Sequence, residues 1–149
     1  MSNASSGPDA SLGMTLRIEI FPDDLDAFVK FYTEVLGFTL AVDQRDSDHP
    51  YAAVEYGKVR IGAARAWEKV DSSARALPGG VEIVLEVDDL TAFRARVQAA
   101  RYPLAQDLQR RPWGLTDFRL YDPAGYYLRI TDKGPITATA PSPSGPGVR

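Results

Sequence analysis

A short acidic motif, DDLDAF at residues 23–28, decides the fold, because it returns as DDLTAF at residues 88–93. An alternating strand pattern precedes each copy, Leu16 to Ile20 before the first and Val81 to Val87 before the second. A helical pattern follows each copy, and paired aspartates suit a helix N-terminus, where a carboxylate accepts backbone N–H groups. The motif therefore marks a duplicated unit, which constrains the architecture more than a single motif does.

Each half of the duplication predicts the order strand, helix, strand, strand. In the first half, apolar residues at spacings of three and four run from Leu25 to Leu36, and Gly37 ends the helix. Strands are expected at 51–56 and 58–64, with a further one near 39–42, and in the second half at 116–121 and 126–131. The sequence therefore predicts an α+β fold of two tandem βαβββ modules. Their mixed sheet forms a cup, with the helices on its outer face.

The domain is predicted to cover residues 14–133, with modules at about 14–66 and 80–133 and a linker that ends at Gly79-Gly80. Residues 1–13 and 134–149 are rich in small polar residues, Pro and Gly, so both segments are predicted to be disordered.

The composition argues against several classes of function. The chain contains no cysteine, which excludes disulfides, iron–sulfur clusters and thiol catalysis, and its one histidine, His49, disfavours a histidine-based metal site. A net charge of −3 argues against nucleic acid as a partner and is compatible with a neutral or cationic small ligand. No apolar run is long enough to cross a bilayer, so no membrane partner and a cytoplasmic location are expected.

Three motifs together resemble the vicinal oxygen chelate superfamily of glyoxalase I, extradiol dioxygenases, and fosfomycin- and bleomycin-resistance proteins. They are FYTEVLGF at 31–38, WG at 113–114 and the turn DPAG at 122–125, and the resemblance covers roughly residues 15–132.

The resemblance implies metal ligands on the first and last strands of each module. Those positions correspond to Arg17, Glu82, approximately Ala64, and Arg129. An arginine stays protonated and has no lone pair to donate, so this set cannot hold a divalent cation. We therefore expect no metal, no other cofactor and no catalytic residue.

The metal-free members that this chain resembles most are of the bleomycin-resistance type. That resemblance implies a homodimer that binds a bulky aromatic antibiotic or natural product and confers resistance or self-resistance by sequestering it. Aromatic side chains would stack on the ligand and charged ones would orient it. The candidate ligand-binding residues are Trp113, Trp67, Tyr51, Phe38, Tyr127, Arg129, Glu82 and Arg17.

Several of these candidates also have a purely structural interpretation. Phe38 also suits a core position, and ion pairs among Arg17, Glu19, Glu82 and Arg129 would fill the cup. In the binding interpretation, Glu82 and Glu86 favour a cationic group on the ligand. The basic pair Arg110-Arg111 is predicted to lie on a solvated loop.

The sequence also leaves three other functions open. The chain could be a metal-dependent isomerase, lyase or dioxygenase of the same superfamily. It could be a metal-independent enzyme with Glu82 as general base beside Arg129. It could also be a binding module for a flavin or another flat metabolite, which the sequence does not separate from drug sequestration.

Overall fold

The computed structural model describes residues 13–66, 68–75 and 81–133, and it shows two similar modules. The first contains β1 (Ile18–Ile20), α1 (Leu25–Lys30), a π-helical turn (Phe31–Val35), β2 (Thr39–Gln44), β3 (Tyr51–Tyr56) and β4 (Val59–Ala64). After a short 3-10 helix (Ser72–Arg75), the second contains β5 (Ile83–Val87), α2 (Leu90–Ala99), β6 (Gln106–Arg110), β7 (Thr116–Tyr121) and β8 (Tyr127–Asp132). The predicted α+β class with two tandem βαβββ modules is confirmed.

Each module folds into a four-stranded mixed sheet with the same strand order, β1-β4-β3-β2 in the first and β5-β8-β7-β6 in the second. In both, the first strand pairs with the last in parallel, and the remaining neighbours are antiparallel. The βαβββ pattern implied a fourth strand in the second module, but the sequence did not place β6. Its residues are polar and mostly exposed, so no apolar alternation marks it, and main-chain pairing with β7 defines it.

The duplicated aspartates cap both helices, as predicted. Asp24 Oδ1 accepts a hydrogen bond from the Ala27 backbone N–H at 3.0 Å, and Asp89 Oδ1 accepts one from Ala92 at 2.9 Å. The predicted single helix from Leu25 to Leu36 instead widens after Lys30 into the π-helical turn. Gly37 then adopts a positive φ of 83°, which ends the helix at the predicted place.

One hydrophobic cluster joins the two modules. The ring of Phe31 lies 4.7 Å from that of Tyr102, and the Tyr32 hydroxyl donates a 3.0 Å hydrogen bond to Asp122 Oδ2 in the second module. The Phe93 ring on α2 lies 6.0 Å from Tyr56 on β3. The predicted helix-face core is confirmed, because its members Phe28, Phe31, Tyr32 and Phe93 are buried.

Some predictions concern residues 1–12, 67, 76–80 and 134–149, which lie outside the described residues. The disordered tails, the linker that ends at Gly80 and the ligand contact by Trp67 therefore stay predictions. Within the described part of the chain, no helix has the length and apolar character that crossing a membrane requires.

Candidate functional site on the cup faces

We call the sheet face opposite the hydrophobic core the cup face. In the second module Phe118, Leu120, Leu128 and Ile130 belong to the core. Side chains alternate along a strand, so the residues between them occupy the cup face. On β7 and β8 these residues are Asp117, Arg119, Tyr121, Tyr127, Arg129 and Thr131.

A tight turn at residues 111–115 brings two further side chains onto the second cup face. The turn is closed by hydrogen bonds from the Arg111 N–H to the Leu115 carbonyl at 2.7 Å and from the Gly114 N–H to the Arg111 carbonyl at 2.9 Å. Gly114 has a φ of +95°, a conformation that only glycine adopts easily. As a result, Arg111 reaches Asp117 and Trp113 faces Arg129.

Asp117 is shared by two buried guanidinium groups. Arg111 donates to Asp117 Oδ1 from Nη2 at 2.7 Å and from Nε at 3.0 Å, and Arg119 donates from Nε and Nη2 at 3.2 Å each. Burial acts to raise the pKa of the Asp117 carboxyl, but these hydrogen bonds outweigh it and hold the pKa below its ordinary value. Asp117 is therefore ionised at neutral pH, and one carboxylate serves two cations.

An ion pair and an indole ring lie beside this cluster. Arg129 Nη2 lies 2.8 Å from Glu82 Oε1, and the Arg129 guanidinium carbon lies 5.8 Å from the centre of the Trp113 ring. Tyr127 accepts a 3.1 Å hydrogen bond from Arg119 Nη1, and its ring lies 5.3 Å from that of Tyr121. The second cup therefore combines aromatic surface with charged donors.

The cup face of the first module is more exposed and carries a smaller polar cluster. Glu19 Oε2 accepts a 3.1 Å hydrogen bond from the Tyr51 hydroxyl and lies 3.1 Å from Arg17 Nε. Burial and the adjacent Glu19 carboxylate raise the pKa of the Tyr51 phenol. Gly62 lies beneath this cluster, where a Cβ would overlap the Glu19 carboxylate and the Tyr51 hydroxyl.

The structure divides the predicted ligand-binding residues between several places. It brings Trp113, Tyr127, Arg129 and Glu82 together on the second cup face. Arg17 and Tyr51 lie on the first cup face, where they are linked through Glu19. Phe38 is 5% exposed and belongs to the core, in agreement with its structural interpretation. The ion pairs foreseen as an alternative are present, Arg17 with Glu19 and Arg129 with Glu82.

Sequence reasoning missed the deepest part of the second cup. The prediction that Arg111 lies on a solvated loop was wrong, because the residue is 5% exposed. Asp117 and Arg119 were not proposed, and both are fully buried. The alternation of Phe118 and Leu120 with these charged residues was the available signal for their placement on the cup face.

The described residues do not fit a resident divalent cation. Of the positions that the resemblance marks as metal ligands, Arg17 and Arg129 carry guanidiniums that pair with Glu19 and Glu82. Ala64 supplies no side-chain donor, and Glu82 already neutralises Arg129. Across residues 13–66, 68–75 and 81–133, no three His, Cys, Asp or Glu side chains gather in a metal-binding group.

A groove of about 850 Å³ lies between the modules, away from the charged cluster of the second cup. Phe38, Tyr56 and Phe93 supply aromatic lining. The charged lining is mixed, with the basic Lys58, Arg96 and Lys133 and the acidic Glu86, Asp88 and Asp89. This groove is a competing place for a ligand, so a binding experiment has to distinguish it from the cups.

Known proteins resemble this chain over most of its length. The family model for the Glyoxalase/Bleomycin resistance protein/Dioxygenase superfamily matches residues 15–130. A relative from Vibrio parahaemolyticus, described as a probable lactoylglutathione lyase, is 29% identical over 127 residues, which are 80% of this chain and 91% of the relative. TioX from Micromonospora sp. ML1 is 25% identical with a TM-score of 0.65, covering 80% of this chain and 98% of TioX. TnmS3, described as an antibiotic binding protein from Streptomyces sp. CB03234, shares the fold at 20% identity, with a TM-score of 0.60 and coverage of 82% and 97%.

Proposed function

We propose that this chain, which belongs to the Glyoxalase/Bleomycin resistance protein/Dioxygenase superfamily, binds and sequesters a bulky aromatic antibiotic or natural product without a metal. The observation that carries the proposal is the pairing of Arg129 with Glu82 beside Trp113. A guanidinium stands at one of the positions that the resemblance marks as metal ligands, and it pairs with Glu82 at another. What remains at this place is a surface suited to stacking and hydrogen bonding.

The aromatic groups of the second cup can supply a useful part of the binding free energy. Burial of roughly 200 Å² of apolar surface on Trp113 and a stacked ligand ring contributes about 5 kcal/mol before ordering costs. Micromolar binding corresponds to about 8 kcal/mol. Contacts with Tyr121, Tyr127 and the charged donors would supply the remainder. Sequestration needs no chemical step, since a bound compound is withdrawn from its target and resistance follows.

A second copy of the chain is part of this proposal. Strands β1 and β5 each pair on one side in their four-stranded sheets. The residues that lead into them include Leu16 and Val81, each 76% exposed. Exposed apolar side chains at open sheet edges favour coverage by a partner strand, and a homodimer would extend both cups.

Light scattering on the purified protein tests the homodimer. We expect twice the mass of the chain, and we expect the double variant Leu16→Lys, Val81→Lys to be a monomer with unchanged far-ultraviolet circular dichroism. A wild-type monomer at micromolar concentration would contradict the homodimer and confine the ligand to the cups of one chain.

One observation favours a second function, an enzyme of the same superfamily. The relative described as a probable lactoylglutathione lyase is 29% identical to this chain. The arginines at the ligand positions oppose this function, because neither Arg17 nor Arg129 can bind a metal. Formation of lactoylglutathione from methylglyoxal and glutathione with added Zn²⁺ or Ni²⁺, at catalytic turnover, would overturn the metal-free proposal.

Tryptophan fluorescence tests the sequestration proposal directly. The chain has two tryptophans, so a Trp67→Phe background leaves Trp113 as the sole reporter. The protein is titrated with chelator present against bleomycin, planar polycyclic antibiotics and free flavins. We expect saturable quenching by at least one antibiotic, which mass spectrometry then recovers unchanged.

Two variants locate the binding place by calorimetry, which needs no tryptophan. Trp113→Ala is expected to weaken binding at least tenfold, whereas Tyr56→Ala, which changes the groove between the modules, leaves it unchanged. The opposite pattern would place the ligand in the groove. Saturable binding of flavin alone would favour the metabolite-binding alternative, and no binding across the panel would refute sequestration of these compound classes.

A further inference from the structure

The buried charges of the second cup do not balance. Among cup side chains that are at least four-fifths buried, three are guanidiniums, Arg111, Arg119 and Arg129, and two are carboxylates, Asp117 and Glu82. Since Asp117 neutralises one of its two arginines, one positive charge in this cluster lacks a counter-ion among the described residues. A buried charge without a counter-ion is unfavourable, so the cluster is poised to accept an anion.

Two further carboxylates among the described residues of the second module form no ion pair with these arginines. Asp132 Oδ1 accepts a 3.1 Å hydrogen bond from the Thr116 backbone N–H. Glu86 is exposed at the end of β5, where its charge acts on Lys133. Neither takes part in the hydrogen bonds or ion pairs of Arg111, Arg119 and Arg129.

Hydrogen-bond donors point to the same conclusion. Arg129 Nε is buried and has no hydrogen-bond partner within the described part of the chain. Arg111, by contrast, donates from Nε to Asp117 and from Nη2 to Asp117 and Gln106. Buried polar groups are normally satisfied, so a donor left open in a cup signals a missing acceptor.

We propose that the second cup recognises an aromatic acid, whose ring stacks on Trp113 and whose carboxylate or sulfonate accepts hydrogen bonds from Arg129 and neutralises the excess charge of the arginine cluster. This inference rests on the proposed function and narrows its ligand class. It reverses the expectation of a cationic group, which relied on Glu82 and Glu86. Glu82 is committed to Arg129, and the buried cluster is net positive.

The connection between ring and acid follows from the geometry. The Arg129 guanidinium lies 5.8 Å from the centre of the Trp113 ring, and Arg129 pairs across the β7–β8 ladder with Arg119. Arg119 in turn shares Asp117 with Arg111. An acid group attached directly to a ring stacked on Trp113 would therefore contact Arg129, whose ladder neighbour Arg119 adds a further positive charge. Arginine suits this contact because its planar fork matches the two oxygens of a carboxylate.

Two fluorescent probes that differ only in an acid group test the inference. They are 8-anilinonaphthalene-1-sulfonate, which carries a sulfonate, and N-phenyl-1-naphthylamine, which has the same rings and no charge. We expect the wild-type chain to bind the sulfonate at least tenfold more tightly, and Trp113→Ala to weaken both probes. The preference should shrink at high salt, since ions screen the charge.

Variants assign the preference to the cluster. Arg129→Gln is expected to weaken the sulfonate at least tenfold more than the neutral probe, which removes the preference. Arg60→Gln, which alters an exposed arginine paired with Glu55 on the first cup face, is the matched control and should change neither affinity. Glu82→Gln removes a repelling charge and should tighten sulfonate binding by about threefold or more. A gain of this kind cannot come from a damaged fold, so it separates recognition from loss of structure.

The possible results distinguish the two proposals. Equal affinities for both probes, each dependent on Trp113, would overturn the acid preference and leave sequestration standing. A preference for the sulfonate that survives in Arg129→Gln, or sulfonate binding that does not tighten in Glu82→Gln, would also overturn it. If neither probe binds the wild type more tightly than it binds Trp113→Ala, the proposed aromatic binding site on the second cup face is refuted. The acid inference is then refuted as well, because it rests on that site.

Discussion

Replacement of Asp117 by asparagine tests the charge balance of the second cup through folding. The substitution leaves the size of the side chain nearly unchanged but removes the carboxylate that Arg111 and Arg119 share. Loss of one partner from a buried ion pair costs about 3–5 kcal/mol because it leaves an uncompensated charge. That is a large part of the 5–15 kcal/mol that is typical of whole domains.

The same reasoning predicts that removing an arginine costs less than removing the aspartate. In Arg111→Gln, Asp117 keeps Arg119 as its counter-ion, and the cluster loses its surplus positive charge. The remaining cost is lost hydrogen bonding, about 1–2 kcal/mol. Urea unfolding at neutral pH, monitored by circular dichroism, gives the free energy of unfolding of each variant. A cost for Arg111→Gln that equals or exceeds that of Asp117→Asn would refute the idea of a surplus charge.

The dependence of stability on pH supplies an independent check. Since the pKa of Asp117 is lowered in the folded state, its contribution is fully present above the unfolded value of about 3.9 and is lost as the pH falls through the folded value. Asp117→Asn should therefore flatten the loss of stability below about pH 4. The matched control is Asp43→Asn, since hydrogen bonds from Arg45 lower the pKa of Asp43 to about 2 at an exposed site. An exposed pair contributes little to stability, so the control should stay close to wild type.

Three further substitutions test other parts of the fold by denaturant unfolding. Gly62→Ala places a methyl group where the first cup holds a carboxylate and a hydroxyl, so we expect a loss of about 1–3 kcal/mol; wild-type stability would show that this cluster moves aside freely. Tyr32→Phe leaves the buried Asp122 carboxylate without its hydroxyl donor and should cost about 1–3 kcal/mol, whereas an unchanged midpoint would mean that water replaces the donor. Asp89→Ala removes a helix cap and should cost about 1 kcal/mol, while its neighbour Asp88→Ala, which changes an exposed pair, should cost less; equal costs would contradict the capping assignment.

The sequence predicted those parts of the fold that depend on local interactions. A cap such as Asp24 needs only the next turn of its own helix, so its position can be read from the motif. On β8, Tyr127 and Arg129 alternate with the apolar Leu128 and Ile130, so the local pattern is enough to place them on the cup face. These features require no knowledge of how the modules pack.

The deeper part of the site depends on tertiary packing, and the sequence did not reveal it. Arg111 follows Arg110 in a polar segment, and its burial depends on a turn that folds over a sheet face. Its partner Asp117 lies on β7, and the sequence alone did not fix the strand register of residues 116–121. The π-helical turn was missed as well, since Phe31 and Tyr32 fit an ordinary helix pattern and take the wider turn where they pack against the second module.

The two modules match at their helix caps and differ on their cup faces. Their helix caps match, because both halves must begin a helix at the same place. Their cup faces do not match, since the first has Glu19 between Arg17 and Tyr51, and the second has a buried arginine cluster. A buried cluster with surplus charge lowers stability, and nothing in the core requires it. The acid ligand proposed above would supply the missing counter-ion and so offset this cost.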